Sequence, residues 1–116
     1  MPYHEKLSNI LPVPCVYGIR CKVNNKHYIG ETIQIKARIR VHRINIKKND
    51  VLNRKFLTDF RKYGASNFEF TIYNSGGHLT NFINRKKLET ALQTAFRQKG
   101  LCYNDGLQER MEARRN

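Results

Sequence analysis

Residues 15–30 read Cys15-Val16-Tyr17-Gly18-Ile19-Arg20-Cys21-Lys22-Val23, then Asn24-Asn25-Lys26, then His27-Tyr28-Ile29-Gly30. Two runs of β-branched and aromatic residues flank an Asn-Asn-Lys turn, which is a hairpin pattern. Tyr17, Ile19, Cys21 and Val23 alternate with Val16, Gly18, Arg20 and Lys22, so Tyr17 stands on one face of the first strand. Tyr28 stands on the returning strand, and His27 points to the opposite face from it. Tyrosine is a favoured strand residue, and cross-strand aromatic pairs stabilise hairpins by roughly 0.2–1 kcal/mol. Packing alone can therefore account for both phenols.

The chain has 116 residues, the size of one domain, and 40% hydrophobic residues, enough for one modest core. Its net charge is +13, from 22 Lys and Arg against 9 Asp and Glu. A field of that sign draws polyanions and releases their counterions, so nucleic acid is the expected partner. An acidic membrane surface is second, but no strongly amphipathic basic helix at a terminus supports it, and no run is long enough to span a bilayer. Met1 to Pro14 lacks the apolar core of a signal peptide, so a soluble, non-secreted protein is expected. The three cysteines form no Cys-x-x-Cys pair and no zinc spacing. They read as reduced thiols in an intracellular, reducing compartment.

Residues 1–14 hold all three prolines and read as an extended arm, which Leu7, Ile10 and Leu11 could dock. Beyond the hairpin, residues 33–48 pose a conflict. Ile33, Ile35, Ala37, Ile39 and Val41 alternate with polar residues as a strand would, yet the run is long for one strand. Thr32 can cap a helix and Lys47-Lys48 suit its C-terminus. On a helical wheel the apolar residues form two patches, Ile33/Ala37/Val41/Ile44 and Ile35/Ile39/Ile46, with Arg38 and His42 between them one turn apart. The reading adopted is a helix buried on two sides.

Asn49-Asp50 is a turn and cap before a helix over 51–63, where Leu52, Phe56, Phe60 and Tyr63 recur at helical spacing and Gly64 ends the run. Residues 67–73 alternate as a third strand, with Phe68, Phe70 and Ile72 inward. Residues 75–78 are a loop. A long helix runs from Leu79 or Thr80 to Lys99, with Phe82, Ile83, Leu88, Leu92 and Phe96 as its apolar stripe, Glu89 beside that stripe and Gly100 closing it. Residues 101–106 are a short extended segment and turn, and 107–116 a basic tail. The expected fold is α+β: a small three-stranded antiparallel sheet with helices packed around it. The arm spans 1–14, the domain 15–105 and the tail 106–116.

Val16-Tyr17 followed by Tyr28-Ile29-Gly30 resembles the paired signature of the GIY-YIG nucleases. Cys15 stands where that family usually has glycine. The resemblance covers about Cys15 to Asp105. Tyr17 and Tyr28 match the two signature tyrosines, Arg38 the arginine of the first helix and His42 a histidine found there in some members. Glu89 matches the acidic residue of the later helix, and Asn104 the asparagine after it. The resemblance implies Mg²⁺- or Mn²⁺-dependent hydrolysis of DNA, double-stranded DNA above all, by a phage, mobile-element or restriction-type enzyme. Glu89 would hold the metal and Arg38 would grip the non-bridging oxygens. Tyr17 would act as general base, Tyr28 would bind the water or the phosphate, and Asn104 would position the site. The choice among Tyr17, Tyr28 and His42 as base stays open. The residues alone do not separate Arg38 from Arg40, and a salt bridge to Lys86 or Arg85 also explains Glu89. Gly30 would admit a closely approaching helix. His4, His27 and His78 read as exposed or structural.

Lys26, Arg40, Arg43, Lys47, Arg54, Arg110 and Arg114 are the candidate DNA contacts. Specificity is expected from the loops, the arm, the tail, a homodimer or a targeting partner. The rival reading is a non-catalytic basic nucleic-acid-binding module using stacking and phosphate contact. A structural ribosome-associated protein is a third.

Overall fold

In the hairpin turn Asn25 takes a positive φ of 60°, a conformation asparagine tolerates better than most residues. The Asn24 side-chain oxygen accepts from the Lys26 N–H at 3.0 Å. The strands on either side are β1 (Cys15–Cys21) and β2 (His27–Thr32). This computed structural model describes Tyr3, residues 13–47 and residues 53–104. The remaining elements are α1 (Ile35–Lys47), α2 (Arg54–Tyr63), β3 (Phe68–Ser75) and α3 (Phe82–Gln98), with 3₁₀ turns at Ala65–Asn67 and Gly77–Thr80. The sheet is antiparallel in the order β2-β1-β3. This is the expected three-stranded architecture.

Because β1 is central, both its faces are covered and every residue in it except Arg20 is buried. Cys15, Tyr17, Ile19 and Cys21 join one core with Ile35 and Ile39 of α1, Phe56 of α2, Phe68 and Phe70 of β3, Tyr103 and Tyr3. The Phe56 ring is fully buried and lies within 5.6–5.8 Å of the rings of Tyr28, Phe60, Phe68 and Tyr103. Tyr3 is the one described residue of the expected arm before Val13. It stacks on Phe70 at 4.9 Å and donates its N–H to the Phe68 carbonyl. Leu7, Ile10 and Leu11 lie outside the described residues.

Several expected boundaries and faces shift. Helix α1 begins at Ile35, because Thr32 Oγ1 accepts from the Gln34 N–H and holds 32–34 in a turn. It is buried on one side only: Ile35, Ile39 and His42 face inward, while Ile33, Val41 and Ile44 are 51%, 41% and 51% exposed. The cap of α2 is Asn53, whose side chain accepts from the Phe56 N–H. Asn49 and Asp50 lie outside the described residues. Strand β3 continues to Ser75, and Ile72 is 43% exposed although it stands opposite the buried Tyr17. Helix α3 starts at Phe82 under an Asn81 cap. Phe82 and Ile83 are exposed, Leu88, Leu92 and Phe96 are half-buried, and the buried positions of α3 are Arg85 and Glu89.

Replacing Phe56 by alanine removes the ring that joins α2 to both hairpin and β3. We expect a loss of about 3–5 kcal/mol in unfolding free energy by urea titration.

Candidate functional site

The Tyr17 side chain is 1% exposed. Its ring lies across Gly30, its cross-strand partner. A Cβ added at Gly30 would come within 2.5 Å of the Tyr17 hydroxyl and 2.6 Å of the ring. What approaches Gly30 is thus the tyrosine ring and not a helix. Gly18 does the same for Tyr73 on the other face, where a Cβ would meet the Tyr73 ring at 2.5 Å.

Helix α1 delivers two side chains to the Tyr17 oxygen. His42 Nε2 lies 3.0 Å away, and Arg38 Nε donates to the oxygen at 3.3 Å. They sit at i and i+4, so both belong to one flank of the helix. Where the phenol proton lies toward His42 Nε2, the imidazole accepts there and carries its own proton on Nδ1. The Tyr28 ring packs edge-on to His42 at 5.5 Å and against Phe56 at 5.6 Å. These four predicted residues therefore meet in one place.

The electrostatics follow from burial. Burial raises the Tyr17 phenol to about 12, against the Arg38 charge and hydrogen bond, which lower it, while the charges of Glu89 and Cys15 raise it further. His42 is 5% exposed. Burial, then the Arg38 charge, push it down to about 4. At neutral pH the pair is a neutral phenol on a neutral imidazole.

Glu89 is 7% exposed on α3, and its Oε1 lies 2.8 Å from Lys86 Nζ. Its charge reaches Tyr17. The salt bridge that the sequence offered as an alternative is thus present, on a carboxylate whose charge raises the Tyr17 phenol. Arg85 pairs instead with Glu31, which directly follows Gly30. Arg85 Nε lies 2.7 Å from Glu31 Oε2, and its Nη1 donates to the Leu79 and Thr80 carbonyls at 2.9 Å each. This partly buried pair ties the end of β2 to the helix turn before Glu89. Nothing in the spacing of Glu31 and Arg85, 54 residues apart, announced it.

Asn104 is 2% exposed and acts on backbone. Its Oδ1 accepts from the Ile29 N–H at 2.7 Å and its Nδ2 donates to the Ile29 carbonyl at 3.1 Å. Gln93 donates to the same carbonyl at 3.2 Å, and Arg97 holds the Asn104 carbonyl at 2.9 and 3.1 Å. Asn104 thus stands in for a strand partner along the free edge of β2. His27 is buried and structural: it stacks on Phe96 at 4.0 Å and bonds the Tyr73 hydroxyl at 2.5 Å.

Among the candidate DNA contacts, Arg40, Lys47 and Arg54 are exposed on α1 and α2, and the Lys26 ammonium lies 6.0 Å from the Tyr103 ring centroid. Arg43 is turned inward, bonded to the Tyr3 carbonyl and packed on the Tyr3 ring, so its guanidinium is engaged within the fold. Arg110 and Arg114 lie outside the described residues.

The family model of the GIY-YIG catalytic domain matches residues 13–102. The chain belongs to the GIY-YIG family. As a GIY-YIG catalytic domain it is an endonuclease that hydrolyses phosphodiester bonds. Among solved structures, it is similar to a point mutant of the catalytic domain of intron endonuclease I-TevI, with a TM-score of 0.68 and 22% sequence identity over 78% of this chain and 91% of that one. That likeness is one of fold. No curated protein matches the chain. Within the GIY-YIG fold Cys15, at the usual glycine, is fully buried in the core, where burial, then the Glu31 charge, raise its thiol to about 11.

The His42 shift predicts a pH dependence. Its folded value lies below the unfolded 6.5, so the unfolded chain binds the extra proton first as pH falls. Its contribution is complete above pH 6.5 and is lost progressively down to pH 4, by about 3 kcal/mol. Denaturant titrations at pH 7.5 and pH 4.5 should show a larger stability difference for the wild type than for His42→Gln. Equal differences would remove the buried neutral imidazole from the account.

Proposed function

We propose that this GIY-YIG domain hydrolyses DNA phosphodiester bonds in duplexes, with Mg²⁺ or Mn²⁺ held through Glu89. What supports the reading is the Tyr17 hydroxyl, fixed between His42 Nε2 and Arg38 Nε within the field of Glu89. Among the described residues no three His, Cys, Asp or Glu cluster to hold a metal. A single buried carboxylate, Glu89, suits a hard cation that binds through one or two carboxylates and keeps its waters and substrate oxygens. When bound, the cation neutralises charge on the phosphate and on the departing 3′ oxygen.

The chain's own residues do the rest. Arg38, with Nε on Tyr17, offers its terminal nitrogens to the non-bridging oxygens, so one guanidinium aligns the phosphate with the base. Tyr17 is a neutral phenol at rest. It takes a proton from the attacking water as its own proton passes to His42 Nε2. The new P–O bond forms in line as the bond to the 3′ oxygen breaks. Tyr17 and His42 thus form one base, with the phenol touching water and the imidazole receiving the charge. Tyr28, packed on His42, orients the water or the phosphate. Asn104 acts through the backbone of Ile29 and touches no substrate.

A supercoiled plasmid tests this. Nicking should require Mg²⁺ or Mn²⁺ and stop with EDTA. Glu89→Ala and Tyr17→Phe should abolish it, and Arg38→Ala should slow it by about 100–1000-fold. DNA binding by every form with cutting by none would make the protein a non-catalytic nucleic-acid-binding module.

A further inference from the structure

One face of α1 is left unused by the fold. Ile35, Ile39 and His42 face the core, whereas Val41 and Ile44 are 41% and 51% exposed, and Ala37 is exposed beside them. At 100° per residue, the outer surface of the helix passes in order from Arg38 through the half-buried Asn45, then Val41, Ala37 and Ile44, to Arg40, Lys47 and Lys36. An apolar ridge therefore runs along the helix between two cationic edges. One edge is Arg38, the guanidinium bonded to Tyr17. The other carries three cations.

The occupant of such a face is set by its rims. A second copy would press like charges together, on a chain whose net charge is +13. A DNA duplex offers a row of phosphates on each side of a groove. The two rims stand on opposite sides of a helix whose diameter is about 10–12 Å. The major groove is about 12 Å wide and admits a helix, while the minor groove, at about 6 Å, does not.

We propose that α1 lies in the major groove beside the cut, reading thymine by apolar contact. This rests on the nuclease reading above and deepens it. Arg38 meets the phosphate of the strand being cut. Lys36, Arg40 and Lys47 meet phosphates of the opposite strand. Ala37, Val41 and Ile44 face the base edges. The apolar group that base edges present there is the thymine 5-methyl, so the ridge favours thymine through apolar contact.

The test compares two duplexes of identical mixed sequence, one with thymine and one with uracil, which removes the methyl and keeps the pairing. Binding is read by fluorescence anisotropy in EDTA, and cutting separately with Mg²⁺. Wild type should bind the thymine duplex tighter, by about fourfold for each methyl the ridge covers. It should show no such preference on the single strands. The surface double variant Val41→Asn/Ile44→Asn should bind both duplexes alike, with an unchanged melting temperature. Arg40→Ala should reduce the salt dependence of binding by about one phosphate contact.

Equal affinity of wild type for the two duplexes overturns the proposal, whether or not it cuts them. So does a wild-type dimer in sedimentation that the double variant dissolves, because the ridge would then belong to a second copy. A protein that prefers thymine in binding but cuts neither duplex sinks the nuclease reading and leaves the groove assignment standing.

Discussion

An unpaired buried phenol is costly, and the site is arranged so that the Tyr17 oxygen is bonded twice. Tyr17 is on the central strand, under α1, and almost wholly buried. An unpaired hydroxyl there would carry a desolvation cost of about 1–3 kcal/mol. His42 and Arg38 meet it, which fixes the rotation of α1 over the sheet. Gly30 meets a second requirement, because no side chain fits under the ring. The paired signature is thus one packing unit: the second half of the motif leaves the space that the first half fills.

The same logic extends to the edge of the sheet. Strand β2 has a free edge, and free edges invite unwanted pairing. Here the segment 101–104 covers it. The His27 N–H donates to the Leu101 carbonyl, the Tyr103 N–H to the His27 carbonyl, and the Asn104 side chain serves Ile29. Gln93 of α3 adds one more bond to that edge. The Glu31–Arg85 pair anchors the end of the strand to α3. Glu89 lies one turn beyond Arg85. The position of the carboxylate relative to Tyr17 therefore depends on contacts made by residues that do not touch the Tyr17 hydroxyl.

Much of this was legible before any coordinates. The hairpin, the third strand, the three helices and the convergence of Tyr17, Tyr28, Arg38 and His42 follow from period, turn chemistry and a family resemblance. The residues alone did not choose between Arg38 and Arg40; the hydrogen bond to Tyr17 does. Apolar periodicity misled at Val41, Ile44, Phe82 and Ile83, because it reports which residues can be buried and not which are. Each stands on a helix face that the sheet does not reach. Long-range polar partners such as Glu31 with Arg85, or Arg43 with Tyr3, leave no local pattern at all. Asn104 was found by resemblance, but its work on backbone could only be seen from its bonds.

The most direct measurement is the ¹⁵N shift of the His42 ring nitrogens at neutral pH. The account predicts an imidazole protonated at Nδ1, with an Nε2 lone pair that accepts the Tyr17 hydroxyl. An Nε2-protonated ring, or an imidazolium, would contradict it, since His42 could then receive no proton from Tyr17.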